Sequence, residues 1–151
     1  MKKLCLVDIL ILLLALCSLT ACTTVSKTDA LEQDDYKVIY NQALDLAYEG
    51  KYEEAAQICQ EAFEQYNYIL SFKTAQAYYL TLADKNEEAC SVYLEILELN
   101  PYDSTTRKTL IELYQSLEMY DKALEQVNIL WNQGYKTSEN LKLIKDLESK
   151  L

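Results

Sequence analysis

GKYEEAAQICQEAF, residues 50–63, decides the fold of this chain because its pattern returns twice. Residues 84–97 read DKNEEACSVYLEIL and residues 118–131 read EMYDKALEQVNILW, so each copy follows the previous one by 34 residues. An alanine occupies the same place in every copy, and an acidic residue stands two positions before it. The aligned alanines are Ala55, Ala89 and Ala123. A fixed period of this length indicates a repeat architecture.

The register extends over the whole repeat. Within the first copy, Ala55, Ile58, Cys59 and Ala62 have the i, i+3, i+4, i+7 spacing of an amphipathic helix. Further aligned sets lie on this helix and on the one before it. They are Ala62, Ile96 and Leu130; Phe63, Leu97 and Trp131; Ala43, Ala77 and Ile111; Leu46, Leu80 and Tyr114. Each repeat therefore has two helices, and neighbouring repeats must stack to bury both apolar faces.

This pattern resembles the tetratricopeptide repeat (TPR), a helix–turn–helix unit, over about residues 36–135. The family's small residue on the first helix maps to Ala43 and Ala77, and its alanine on the second helix to Ala55, Ala89 and Ala123. The segments GKYEEA (residues 50–55) and LNPYD (residues 99–103, with Pro101) are similar to the family's turns. Lys73, Arg107 and Ile111 depart from the pattern, which indicates diverged repeats.

The resemblance implies an all-α, right-handed α-solenoid of about three repeats followed by a C-terminal capping helix. The predicted TPR domain is 36–151, with repeats at about 36–69, 70–103 and 104–137 and the capping helix at 138–151. In that last segment, Leu141, Ile144 and Leu147 form an apolar stripe, Ser138 is the expected N-cap, and Gly134 marks the preceding stop. A terminal repeat needs such a cover with a polar outer side.

The first residues have the features of an export signal. Lys2 and Lys3 precede an apolar run from Ile9 to Cys17, which is too short to span a bilayer. Leu19-Thr20-Ala21-Cys22 then resembles a bacterial lipobox, which implies a signal peptide over 1–21 and lipidation (including palmitate) of Cys22. Residues 22–35 are interpreted as the lipidated cysteine and a flexible tether. The expected location is the cell membrane or outer membrane, with the domain on the exported side.

Composition argues against several function classes. The chain has no histidine, two glycines and one proline, which removes the commonest general base and favours helices over turn-rich β structure. Its net charge of −10 repels the phosphates of nucleic acids. The sequence shows no phosphate-binding loop, zinc spacing or catalytic triad. We therefore expect no enzyme activity, no cofactor and no metal site.

Two cysteines, Cys59 and Cys90, remain after removal of the signal and lipidation of Cys22. Both lie in predicted helices, and Cys59 falls at a core position, where a cysteine commonly behaves as a small hydrophobe. The sequence leaves open whether they are free or bridged. A thiol redox protein is accordingly one alternative function.

A TPR solenoid implies a concave groove, lined by the first helix of each repeat, that binds an extended peptide or a helix of another protein. The resemblance places the partner-binding residues at Tyr40, Asn41, Leu44, Thr74, Tyr78, Thr81, Lys108, Glu112 and Gln115. The lining does not support the family's clamp for a C-terminal carboxylate. The leading hypothesis is a membrane-anchored protein–protein interaction adaptor of the bacterial cell envelope, and a self-associating structural lipoprotein is a second alternative.

Overall fold

The computed structural model describes residues 25–67 and 69–151. The predicted signal peptide at 1–21 and the predicted lipid-bearing Cys22 lie outside the described residues. The chain divides into two compact units, Met1–Val38 and Ile39–Leu151. The second unit contains every side chain whose structural contacts are given below.

Seven α-helices make up the regular structure of the described residues, which contain no strand. From α2 onward, each helix packs against the next one in the chain, so contacts are local along the sequence. This is an all-α solenoid, as the repeat predicts. The helices are α1 (Val25–Tyr48), α2 (Tyr52–Gln65), α3 (Leu70–Leu82), α4 (Asn86–Leu99), α5 (Ser104–Ser116), α6 (Tyr120–Asn132) and α7 (Ser138–Glu148).

The turns inside the helix pairs repeat the sequence period in the backbone. Gly50, Asp84 and Glu118 all have positive φ, at 79°, 60° and 57° respectively. In each turn the next residue donates its N–H to a carbonyl five positions earlier, at 2.9 Å, as Lys51 does to Leu46. This bonding pattern ends an α-helix and reverses the chain. The same turn therefore forms in all three pairs, although only one has the glycine that favours it.

The aligned repeat positions form the core. Ala55, Ala89 and Ala123 have no exposed surface, and the aligned sets that begin with Ala43 and Ala62 are also buried. Alanine at these places lets adjacent helices approach closely. Larger fully buried side chains complete the core, and these include Phe72, Ile96, Leu110, Leu130 and Leu147.

Two departures from the repeat pattern have a physical explanation. The ammonium of Lys73 lies 4.7 Å from the ring centroid of Phe63 and forms an ion pair with Glu95. Arg107 is buried, and its guanidinium donates to Gln126 Oε1 and, at 2.8 Å, to the Pro101 carbonyl oxygen. A long aliphatic stem thus packs where a bulky apolar residue is usual, and the charged end reaches a partner.

Two sequence-based expectations differ from the structure. Residues 25–35, predicted as part of a flexible tether, belong to helix α1. This stretch holds no glycine or proline to stop a helix, and it continues into the repeat's first helix. The N-cap of α7 is Thr137 rather than Ser138, because the Thr137 hydroxyl oxygen accepts from the Asn140 N–H at 3.1 Å. Among the described residues, no helix is long and apolar enough to cross a membrane.

Candidate functional site

A cavity of about 580 Å³ lies between α1 and α3, and we call it the tyrosine cleft. Tyrosines supply much of its lining, together with small residues of α3. The described lining residues are Tyr40, Leu44, Ala47, Tyr48, Tyr52, Ser71, Thr74, Ala75, Tyr78, Tyr79 and Leu82. None of them carries a charge at neutral pH, so the cleft is an apolar surface with hydroxyl groups distributed over it.

The tyrosines of this cleft differ in how much of each side chain water reaches. Tyr48 is 82% exposed, Tyr78 55% and Tyr40 40%. The Tyr78 ring centroid lies 5.8 Å from that of buried Tyr79, and the Tyr40 centroid lies 6.1 Å from that of buried Phe72. These separations are typical of favourable aromatic pairs. Tyr40 and Tyr78 therefore each pack against a buried aromatic ring while part of the side chain stays exposed to solvent.

Burial also affects the ionisation of the cleft's inner wall. The pKa of Tyr79 is raised above its ordinary value, mainly because burial disfavours the phenolate. Tyr79 therefore stays neutral at physiological pH, and this buried part of the lining carries no charge.

A second cavity of about 500 Å³, the charged cleft, lies between α5 and α7. Its lining mixes lysines and carboxylates with a few apolar side chains. Asn140, at its edge, is buried and donates through Nδ2 to the Tyr135 carbonyl oxygen at 2.8 Å. The lining residues are Lys108, Ile111, Glu112, Gln115, Leu130, Glu139, Asn140, Lys142, Leu143 and Asp146.

The predicted partner-binding residues separate into these two places. The tyrosine cleft includes Tyr40, Leu44, Thr74 and Tyr78, and the charged cleft includes Lys108, Glu112 and Gln115. The remaining two, Asn41 and Thr81, line neither cavity. Asn41 is exposed, and the half-buried Thr81 hydroxyl donates to the Ala77 carbonyl oxygen at 3.0 Å.

Sequence reasoning missed several lining residues. Tyr48 and Tyr52 flank the turn between α1 and α2, and Leu82 lies at the end of α3. The spacing of Tyr40, Leu44 and Tyr48 along one helix face was the signal that could have extended the site by one turn. The contribution of α7 to the charged cleft had no such signal, because it depends on how the capping helix packs.

The two remaining cysteines are buried and are not bonded to each other. Burial raises the pKa of the Cys59 thiol to about 12 and also raises that of Cys90. The reactive form of cysteine is the thiolate, which these surroundings disfavour. No group of three or more acidic, histidine or cysteine side chains suited to a metal ion occurs in the described part of the chain.

No protein-family model and no curated protein matches this chain. Solved structures do match it. The structure of the MamA RS-1 ArsTM double mutant has a TM-score of 0.63 and 15% identity to this chain, with 76% of this chain and 64% of that one covered. The chain thus spans less than two thirds of that protein's length.

Two further solved structures, both complexes with part of another protein, also match. The Yersinia enterocolitica type III secretion chaperone SycD, in complex with a peptide of the translocator YopD, gives a TM-score of 0.58 and 16% identity, covering 78% of this chain and 90% of that chain. PcrH, in complex with the chaperone-binding region of PopB, gives 0.58 and 14%, covering 78% and 95%. At these identities the likeness concerns the fold alone. It confirms the predicted class, an all-α solenoid of TPR-like repeats.

Proposed function

We propose that this chain is a non-enzymatic adaptor that holds a peptide segment or a helix of a partner protein in the tyrosine cleft. The observation that carries the proposal is the uncharged cleft itself, with Tyr40 and Tyr78 exposed above buried aromatic side chains. Large apolar contact area that remains open to water, together with hydroxyl groups, is typical of protein-recognition surfaces.

The chemistry of the cleft favours a polypeptide occupant. Tyrosine rings offer flat apolar contact at a small cost in side-chain entropy, and their hydroxyls bond to backbone carbonyls and amides. The SycD structure is a complex with a peptide of the translocator YopD, and the PcrH structure is a complex with the chaperone-binding region of PopB. Peptide binding by proteins with this fold supports the same use here.

We further propose that the adaptor acts at the bacterial cell envelope, held there by lipid on Cys22. The support is the order of basic residues, apolar run and lipobox-like Leu19–Cys22 in the sequence. Two or more acyl chains give stable membrane attachment, whereas one does not. The solenoid would then face the exported side and recruit its partner to the membrane.

The groove proposal is tested by site-specific photocrosslinking in the native cell envelope. A photoreactive phenylalanine analogue replaces Tyr78 in one variant and Tyr102 in another. Tyr102 is the matched control because it is a tyrosine that is 77% exposed and lines neither cleft. We expect one dominant protein crosslinked from position 78 and absent from position 102.

Equal crosslinking from both positions would show that the tyrosine cleft is not the recognition surface.

The lipid anchor is tested separately, by growing cells with radiolabelled palmitate. The wild-type protein should take up label and sediment with membranes, and Cys22→Ser should do neither. Label retained in Cys22→Ser would contradict the assignment of the lipid to this cysteine.

A further inference from the structure

A third cavity, of about 720 Å³, lies on the second helices of the first two repeats, and we call it the acidic cleft. Its walls come from α2 and α4, and Gln76 and Leu80 of α3 lie between them. It is therefore built from other residues than the tyrosine cleft. Five of its lining residues are glutamates: Glu53, Glu54, Glu61, Glu64 and Glu88.

Cations within the chain balance only part of this charge, and Lys51, outside the lining, also attracts Glu54. Lys85 is the one basic residue among the described lining, and it pairs with Glu53 at 3.1 Å and Glu88 at 3.5 Å. Glu61 and Glu64 accept instead from the amides of Gln57 and Gln60, at 3.0 Å and 3.2 Å. A neutral amide leaves the negative charge of its acceptor in place, so the cleft retains an excess of carboxylates.

A buried amide lines the same cleft and has an unused acceptor. Gln76 is only 8% exposed, and its Nε2 donates to Gln60 Oε1 at 3.3 Å. Gln76 Oε1 is buried and has no hydrogen-bond partner within the described chain. A buried acceptor without a donor is unfavourable, and most such groups in folded proteins are paired. A donor that enters from the cleft would satisfy this oxygen.

We infer that the acidic cleft binds a lysine- or arginine-bearing segment of a partner protein. A cationic side chain supplies both the positive charge that the glutamates lack and the N–H donor that Gln76 Oε1 lacks. Glu54 and Glu61 are seven residues apart on α2, about 10 Å along the helix, which suits two basic residues of one segment. The carboxylates are thus spread along the helix, and they can contact more than one basic side chain.

A second copy of this chain is a poor occupant. Its lysine-bearing C-terminal helix also carries carboxylates, so it offers no surface of one sign. Within α7, Lys142 and Lys145 lie between Glu139 on one side and Asp146 and Glu148 on the other. Charge complementarity therefore points to a different, basic protein. This inference does not depend on the tyrosine cleft, and either site can fail without the other.

The test measures binding of amidated hexalysine to the full-length chain in nonionic detergent, by fluorescence anisotropy. One variant carries Glu54→Gln, Glu61→Gln and Glu64→Gln within the cleft. The matched control carries Glu98→Gln, Glu125→Gln and Glu148→Gln, which removes the same charge from exposed positions outside the cleft. We expect the dissociation constant to rise at least about tenfold in the first and less than about twofold in the second.

The variant Gln76→Leu distinguishes binding at a specific site that includes Gln76 from general attraction of hexalysine to the negative charge of the chain. Because it removes a poorly satisfied buried amide and leaves the net charge unchanged, it should fold, as circular dichroism will verify, and weaken hexalysine about fivefold. Equal weakening by the two glutamate variants, or unchanged binding in Gln76→Leu, would overturn the proposal. Spermine bound as tightly as hexalysine, with the same residue dependence, would replace the peptide partner by a small polyamine.

Discussion

The first two repeats carry two clefts of opposite chemistry, and helix α3 contributes to both. The tyrosine cleft, toward α1, has no charged residue in its described lining, whereas glutamates dominate the acidic cleft between α2 and α4. Stacking of the repeats needs only the buried stripe of each helix. The remaining positions are thus free to differ, and one solenoid segment can present an apolar surface and an anionic surface at once.

Helix α3 shows how close the two chemistries lie in the sequence. Gln76 and Tyr78 are two residues apart, which places them on roughly opposite sides of an α-helix. Gln76 faces the carboxylates, and Tyr78 faces the aromatic wall. Substitutions at these neighbouring positions should therefore affect different ligands, so each cleft can be perturbed without the other.

The largest expected effect follows from removing the support of the tyrosine cleft. Phe72 is fully buried, and its ring lies 6.1 Å from Tyr40 and 6.5 Å from Tyr66. Phe72→Ala should lower the free energy of unfolding by about 3–5 kcal/mol, because it leaves a cavity. Urea denaturation followed by circular dichroism measures this. Phe72→Leu, which refills most of the volume, is the control, and equal losses in both would refute the cavity explanation.

The second prediction brings the chemistry of the acidic cleft into the tyrosine cleft. Tyr78→Glu places a carboxylate on the uncharged wall and removes an aromatic anchor. Affinity for the partner identified by crosslinking should fall about 30-fold, whereas Tyr78→Phe should stay within about threefold. Hexalysine binding to the acidic cleft should change little in either variant. A partner that binds Tyr78→Glu as well as wild type would remove Tyr78 from the recognition surface.

Much of the fold was predictable from the sequence, because the repeat period determines it. The buried alanines at 55, 89 and 123 follow from local spacing, and so do the two helices of each repeat. Four of the predicted groove residues line the tyrosine cleft for the same reason, since a spacing of four residues places each pair on one face of α1 or α3. Residues fixed by one helix face were within reach of pattern reasoning.

Features that depend on packing between segments distant in the sequence could not be predicted from the sequence. The sequence alone explains Glu53 and Glu54 as acidic residues at the start of a helix, where the helix dipole favours them. Their role in the acidic cleft depends on α4 lying beside α2 and on Gln76 reaching between them, which no local spacing encodes. The N-terminal extension of α1 through residues 25–35 was missed because its polar composition hid a helix.

Salt should separate the two clefts next. Raising sodium chloride from about 0.05 M to about 0.5 M shortens the range of charge interactions several-fold. Hexalysine binding should weaken at least about tenfold, because it rests on carboxylates. Binding of the crosslinked partner through an uncharged cleft should change less than about threefold. Anisotropy titrations at both salt concentrations measure this, and an equal response of the two ligands would erase the distinction between the clefts.

The smallest effect concerns the turn beside the tyrosine cleft. Gly50 lies between Tyr48 and Tyr52, and a methyl group added there would meet no atom within 4 Å. Gly50→Ala therefore tests backbone strain alone and should lower the free energy of unfolding by about 1 kcal/mol.

Glu118 has φ of 57° at the equivalent position of the third repeat. Glu118→Gly should therefore raise the free energy of unfolding by a similar amount, as thermal and urea unfolding will measure. Because Glu118 lines neither the tyrosine cleft nor the acidic cleft, its replacement should stabilise the solenoid and leave both ligands bound as in wild type. A loss of stability in Glu118→Gly would mean that the Glu118 side chain stabilises the turn, and that its positive φ does not carry a cost that glycine removes.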